Sequence, residues 1–95
     1  MRLSRIEAET IKEAFTEVFG DGQVYLFGSR VDDTKRGGDI DLYLTLNEHD
    51  KLFEKKIKFL SKIKRRLGEQ KIDVVFNQDG NRLIEKEARQ WGIML

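Results

Sequence analysis

One segment constrains the fold more than any other because it alternates strictly between polar and apolar side chains: residues 39–46, DIDLYLTL. This period of two predicts a strand with an apolar face made of Ile40, Leu42, Leu44 and Leu46. The opposite face carries Asp39, Asp41, Tyr43 and Thr45. Such a strand requires neighbouring strands and a layer of apolar side chains packed against its apolar side.

A helix and two further strands are predicted around this segment. Residues 5–19 carry apolar side chains at helical spacing, follow a Ser4–Glu7 capping box and end before Gly20, which predicts an amphipathic helix. Residues 23–27 (QVYLF) and 72–76 (IDVVF) are rich in β-branched and aromatic side chains, which is typical of buried strands. Residues 30–38 are polar and end in two glycines, which favours a loop or a short turn of helix.

Two more helices complete the predicted elements. Asp50 can cap a helix that stops at Gly68, with an apolar side formed by Leu52, Phe53, Ile57, Phe59, Leu60, Ile63 and Leu67. Its other side is basic and carries Lys51, Lys55, Lys58, Lys62, Arg65 and Arg66. After a turn at residues 77–80, a last helix runs to about Trp91, and an extended tail follows Gly92.

The connections predict one small mixed sheet. Only the eleven residues 28–38 join the first two strands, which is short for a parallel crossover, so these strands should be antiparallel. A whole helix joins the second strand to the third, which permits a parallel, right-handed crossover. The predicted fold class is therefore α/β (α+β), with about three strands flanked by helices in the order α-β-(loop or short α)-β-α-β-α. At 95 residues, positions 1–95 are expected to form a single domain.

In this topology, three aspartates and a glycine-serine turn meet at one edge of the sheet: Asp39, Asp41, Asp73 and Gly28-Ser29. Asp39 and Asp41 start roughly 6.6 Å apart on one face of a strand. At that spacing two ionised carboxylates repel by about 2.5 kcal/mol at an effective dielectric constant near 20. A bound cation would relieve the repulsion, and oxygen ligands without His or Cys suit Mg²⁺ or Mn²⁺.

The same edge carries groups suited to a phosphate. Mg²⁺ usually completes its coordination with water and substrate phosphate oxygens, so the aspartates predict a phosphate-bearing substrate. Gly28 allows close approach of the backbone and Ser29 offers a hydroxyl and an amide, while Arg30, Lys35 and Arg36 are candidate charge partners. Asp39 and Asp41 could bridge two metal ions, and Asp73 could bind one of them or accept the proton of a nucleophile.

Three motifs together resemble the minimal nucleotidyltransferases of the DNA polymerase β superfamily: Gly28-Ser29-Arg30, Gly38-Asp39-Ile40-Asp41-Leu42 and Asp73-Val74-Val75. The resemblance covers nearly the whole chain. It implies that Gly28, Ser29, Arg30 and Gly38 bind the nucleotide phosphates, and that Asp39, Asp41 and Asp73 are catalytic residues that hold the metal ions.

The resemblance also implies an activity and a partner. Transfer of a nucleoside monophosphate, AMP from ATP, to a hydroxyl is expected, with Mg²⁺ or Mn²⁺ as the metal. Proteins of this size in the family are commonly paired with a small helical protein of the HEPN type or of a substrate-binding type, and many such pairs are toxin and antitoxin. A homo-oligomer is also compatible with the sequence.

Composition limits the other readings. There is no Cys, the net charge is +1, and no apolar run is long enough to cross a bilayer, so thiolate metal sites, a membrane span and a strong overall attraction to nucleic acid are excluded and a cytoplasmic location is expected. Two alternatives to the enzyme remain. One is a module that binds a partner protein without chemistry, and the other is an RNA-binding domain that uses the basic helix at residues 51–66. Tyr43, on the face of the aspartates, is either a base contact or an ordinary strand aromatic.

Overall fold

A computed structural model describes residues 3–28, 39–78 and 82–95. The elements in chain order are α1 Arg5–Phe19, β1 Gln23–Phe27, β2 Ile40–Thr45, α2 Leu52–Leu67, β3 Ile72–Phe76, α3 Leu83–Trp91 and β4 Ile93–Met94. The predicted order of helices and strands is confirmed. The tail after Gly92, expected only to be extended, adds a fourth strand. The loop or short helix expected at residues 30–38 lies outside the described residues.

The starts of the two long helices differ. In α1 the predicted capping box is present, because the Ser4 hydroxyl accepts from the Glu7 amide and the Glu7 carboxylate accepts from the Ser4 amide. In α2 the predicted cap by Asp50 is wrong. The residue before the helix is Lys51, in a left-handed conformation with φ 53°, and no side chain caps the first turn. The helix therefore depends on packing of its apolar side for its position.

The sheet is mixed, as predicted, with strand order β3-β2-β1-β4. β1 pairs antiparallel with β2 and with β4, whereas β2 pairs parallel with β3. The short link between β1 and β2 and the helical crossover between β2 and β3 predicted both orientations. The register places Asp41 beside Phe27 on one side and beside Asp73 on the other.

Helices cover both faces of the sheet. The larger core lies between the sheet and the α1–α2 pair, and it contains the four apolar residues of the alternating segment, Ile40, Leu42, Leu44 and Leu46. The smaller core lies on the other face, where Ala88 of α3 packs with Phe27 and Tyr43. Asp41 and Tyr43 alternate with the buried apolar residues of β2, so their side chains are on the α3 side.

The apolar side of α2 is narrower than predicted. Phe59 and Ile63 are buried, but Phe53 is 75% exposed and Ile57 is 50% exposed. The predicted apolar arc spans about half of the helix circumference at 100° per residue, which is wider than the surface that α1 and the sheet cover. Within residues 3–28, 39–78 and 82–95, no helix is both long and apolar enough to traverse a membrane.

Candidate active site

Three strands bring their ends together at one edge of the sheet. Gly28 directly follows β1, whose last residue, Phe27, pairs with Asp41. Asp41 in turn pairs with Asp73 across the parallel β2–β3 ladder. This arrangement confirms the predicted neighbourhood of Gly28, Asp41 and Asp73. It follows from strand direction alone, because the C-terminal end of β1 meets the N-terminal ends of β2 and β3.

Gly28 leaves room for the Asp41 carboxylate. Its φ is +75°, a conformation that residues with a Cβ rarely adopt. A Cβ at this position would also collide with Oδ2 of Asp41. The glycine predicted to approach a phosphate thus has a second role, since it lets a carboxylate lie directly against the backbone of the turn.

Asp41 is in an environment that disfavours its negative charge. Partial burial raises the pKa of Asp41, and the charges of Asp73 and Asp39 raise it further. A hydrogen bond with the Asp73 carboxyl group acts in the same direction, as does the charge of Glu87 on α3. The carboxyl groups of Asp41 and Asp73 are therefore neighbours at this edge of the sheet.

Asp39 makes a different contact. Its Oδ2 lies 3.3 Å from Nζ of Lys71, the residue before β3. In the described part of the chain, no group of three or more His, Cys, Asp or Glu side chains is close enough to hold a metal ion together. The three aspartates predicted to act together are thus divided, because Asp41 contacts Asp73 while Asp39 pairs with Lys71.

The other predicted nucleotide-binding residues belong to the segment between β1 and β2. Ser29, Arg30 and Gly38 lie outside the described residues, as do Lys35 and Arg36. Their roles stay predictions.

Tyr43 is not available to contact a base. It is only 1% exposed, and its hydroxyl donates to Oε1 of Glu85 on α3 at 3.0 Å. Tyr25 packs beside it, with ring centroids 6.1 Å apart. Of the two readings of Tyr43, the structure supports the strand aromatic that packs in the core.

Glu85, a residue of α3, is a second carboxylate on this face of the sheet, and it is fully buried. Its Oε1 also accepts from the amide of Gln78 at 2.9 Å, and its Oε2 accepts from Nε of Arg82 at 2.8 Å. Arg82 donates further to the carbonyl oxygen of Phe76. Burial alone raises the pKa of Glu85, but these hydrogen bonds and the charge of Arg82 together lower it to about 2.

Sequence reasoning missed Lys71, Glu85 and Glu87. Only the Arg82–Glu85 pair has a local signal, a spacing of three residues at a helix start, where a negative charge is favourable. The ion pair of Lys71 with Asp39 and the charge interaction of Glu87 with Asp41 join segments that are far apart in sequence. Nothing in the chain near either residue distinguishes it from an ordinary exposed charge.

The oxygen donors that are present fit a magnesium ion. Mg²⁺ is commonly held by one or two carboxylates together with water and substrate phosphates, and Asp41 and Asp73 supply two adjacent carboxylates. The pKa of Asp41 is raised by burial first and then by the neighbouring acids, a combination that is common at functional sites. Asp39, predicted as a third ligand, is paired with Lys71 instead.

The fold and this edge define a small nucleotidyltransferase-type domain. The family described as Polymerase beta, Nucleotidyltransferase matches residues 9–95, and the chain belongs to this family. The resemblance drawn from the three sequence motifs is thereby confirmed, and membership indicates nucleotidyl transfer. No curated protein matches the chain.

Proposed function

We propose that this protein is an Mg²⁺-dependent nucleotidyltransferase that moves AMP from ATP to a hydroxyl group of a partner protein, as the antitoxin of a HEPN-type toxin. Mn²⁺ is the alternative metal. The observation that carries the proposal is the pairing of Asp41 with Asp73 on adjacent strands, directly against Gly28. Family membership supports the reaction class. The choice of ATP, the acceptor and the antitoxin role come from the resemblance of the sequence motifs.

The reaction is a substitution at phosphorus. The acceptor oxygen forms a bond to the α-phosphorus of ATP, the bond from that phosphorus to the oxygen bridging it to the β-phosphorus breaks, and pyrophosphate leaves. The proton of the acceptor hydroxyl must pass to a base. Asp73 is assigned this task because it is the exposed member of the Asp41–Asp73 pair and can be reached by an incoming hydroxyl.

The remaining residues orient the substrate. Asp41, packed against Gly28, has little freedom to turn away, so its carboxylate is held in place before the nucleotide arrives. When bound, Mg²⁺ would neutralise charge on the phosphate oxygens and polarise the phosphorus. Asp41 and Asp73, joined by Asp39, are the residues that would hold it.

Labelled ATP provides the test. The protein is incubated with α-labelled ATP, Mg²⁺ and the protein encoded by the neighbouring gene, and the label on that protein is measured. Wild type and the control Asp21→Ala, an exposed change before β1, should both label the acceptor, and Asp41→Ala should not. No labelling by wild type, or equal labelling by Asp41→Ala, contradicts the proposal.

A second candidate function is binding of a partner without chemistry. It is favoured by the apolar side chains exposed on α3 and β4, namely Leu83 at 81%, Trp91 at 64% and Met94 at 56%. The test measures how far this protein suppresses the toxicity of its partner. Suppression that persists in Asp41→Ala but is lost in Trp91→Ala would support this candidate over the enzyme.

The RNA-binding alternative has less support. In α2, Lys62 pairs with Glu17 at 2.9 Å and Arg66 pairs with Glu13, both acids being on α1. Two of the six basic residues predicted for this surface are therefore paired with acids of the chain, which weakens the attraction of the surface for phosphates. Self-association and a cytoplasmic location stay predictions.

A further inference from the structure

Lys71 lies directly before β3, at the edge of the sheet that carries Asp39, Asp41 and Asp73. The amide of Ile40 donates to the carbonyl oxygen of Lys71 at 3.1 Å, and Ile40 pairs with Ile72 in the parallel ladder. The backbone of Lys71 is therefore fixed next to the start of β2. From this position its side chain, 72% exposed, reaches Asp39, whose side chain is 40% exposed.

The charge of Lys71 interacts with all three aspartates. The hydrogen bond to Asp39 and the charge of Asp39 raise the pKa of Lys71, and the charges of Asp73 and Asp41 raise it further. The ammonium group thus lies in the field of the same carboxylates that would hold a divalent cation. It draws on an oxygen of Asp39 that a metal ion would also require.

We propose that Lys71 is a positioning residue that competes with the divalent cation for Asp39, so that it stabilises the metal-free site and weakens metal binding. The inference rests on the proposed function, because it takes the aspartates to be the metal ligands. It accounts for the pairing of Asp39 with Lys71 while Asp41 contacts Asp73, and it makes Asp39 a metal ligand only after the Lys71 ion pair is broken.

The size of the effect follows from linkage. A ligand gains only the difference between its interactions with the two states of the protein, so any stabilisation of the metal-free state by the ion pair is subtracted from metal affinity. Exposed ion pairs are weak, and removing this one should tighten metal binding by about two- to fivefold.

The test measures binding of Mn²⁺ alone, without nucleotide, from the electron paramagnetic resonance signal of the free ion. Lys71→Met should bind Mn²⁺ about two- to fivefold more tightly than wild type. Lys71→Arg, which keeps the charge, should remain within about twofold of wild type. Lys58→Met is the matched control, because it removes another exposed lysine, on α2, with the same change in net charge, and it should leave the affinity unchanged.

A double-mutant cycle separates direct competition from a general effect of charge. If Lys71 acts through Asp39, the gain from Lys71→Met should be smaller in an Asp39→Asn background than in wild type. An equal gain in both backgrounds, no gain at all in wild type, or an equal gain from Lys58→Met overturns the role of Lys71.

The same titration tests the proposed function separately. Asp41→Ala should weaken Mn²⁺ binding at least tenfold, whatever the result for Lys71. Unchanged binding in Asp41→Ala would overturn the metal site itself, and the competition with it. Loss of Mn²⁺ affinity in Asp41→Ala without any gain in Lys71→Met would leave the metal site intact and overturn only the inference about Lys71.

Discussion

Asp41 and Glu85 are two carboxylates on the same side of the sheet with opposite electrostatics. Glu85 is fully buried, yet three hydrogen bonds and the Arg82 charge lower its pKa to about 2. Asp41 is only partly buried, but burial and neighbouring acids raise its pKa. The two carboxylates thus differ in their partners: Glu85 forms an ion pair with Arg82, whereas no basic side chain of the described residues forms an ion pair with Asp41. A carboxylate of the second kind is a candidate for a functional site.

Removing the carboxylate of Glu85 should have the largest effect on stability. Glu85→Ala removes three hydrogen bonds to a buried carboxylate and leaves the buried Tyr43 hydroxyl without its acceptor, so we expect a loss of about 3–5 kcal/mol in the free energy of unfolding. Urea denaturation measures it. Glu9→Ala, which breaks the exposed pair with Arg5, is the control and should change stability little. A comparable loss in both variants would remove the contrast between the two regions.

The contribution of Glu85 should also depend on pH. Its pKa falls from 4.5 to about 2 on folding, so the stabilisation is fully present above pH 4.5 and is lost as the pH falls from there to about 2. The difference in unfolding free energy between wild type and Glu85→Gln should therefore shrink across this interval. A difference that stays constant down to pH 2 would show that the charge of Glu85 contributes nothing.

Gly28 follows β1 and lies against Asp41, so its substitution should have an intermediate effect on stability. Gly28→Ala places a Cβ both in a left-handed conformation and against Asp41, so we expect a loss of about 1–3 kcal/mol. Gly20→Ala is a close control, because its φ is +81° and nothing lies near its added Cβ. Gly28→Ala should cost more than Gly20→Ala in urea denaturation, and the excess should vanish in an Asp41→Ala background.

Removing the charge of Asp41 should have the smallest effect on stability, and this effect should be an increase. Since the pKa of Asp41 is raised in the folded state, ionised Asp41 destabilises the metal-free protein at neutral pH, and this cost shrinks as the pH falls from the raised folded pKa to the ordinary value of 3.8. Asp41→Asn should stabilise the metal-free protein by up to about 1 kcal/mol, since partial exposure screens the repulsion, and should abolish nucleotidyl transfer. Lower stability than wild type at pH 7 would contradict this assignment.

The sequence was most informative where the pattern is local. The alternation at residues 39–46 predicted the face of every residue in β2, and the lengths of the two connections predicted both strand orientations. The positions of Gly28, Asp41 and Asp73 followed from those orientations. The interactions that the sequence did not predict join distant segments. They are the ion pair of Lys71 with Asp39, the hydrogen bond of Tyr43 with Glu85, and the charge interaction of Glu87 with Asp41. Periodicity and spacing carry no information about these pairs.

The contact between Gly28 and Asp41 has an evolutionary consequence. Two separate constraints act on position 28, one from its backbone conformation and one from the carboxylate of position 41. If a lineage lost the acid, only the conformational constraint would remain. Substitutions at position 28 should therefore follow the loss of Asp41 and not precede it, so a relative with a larger residue at position 28 is expected to have lost the aspartate at position 41 already.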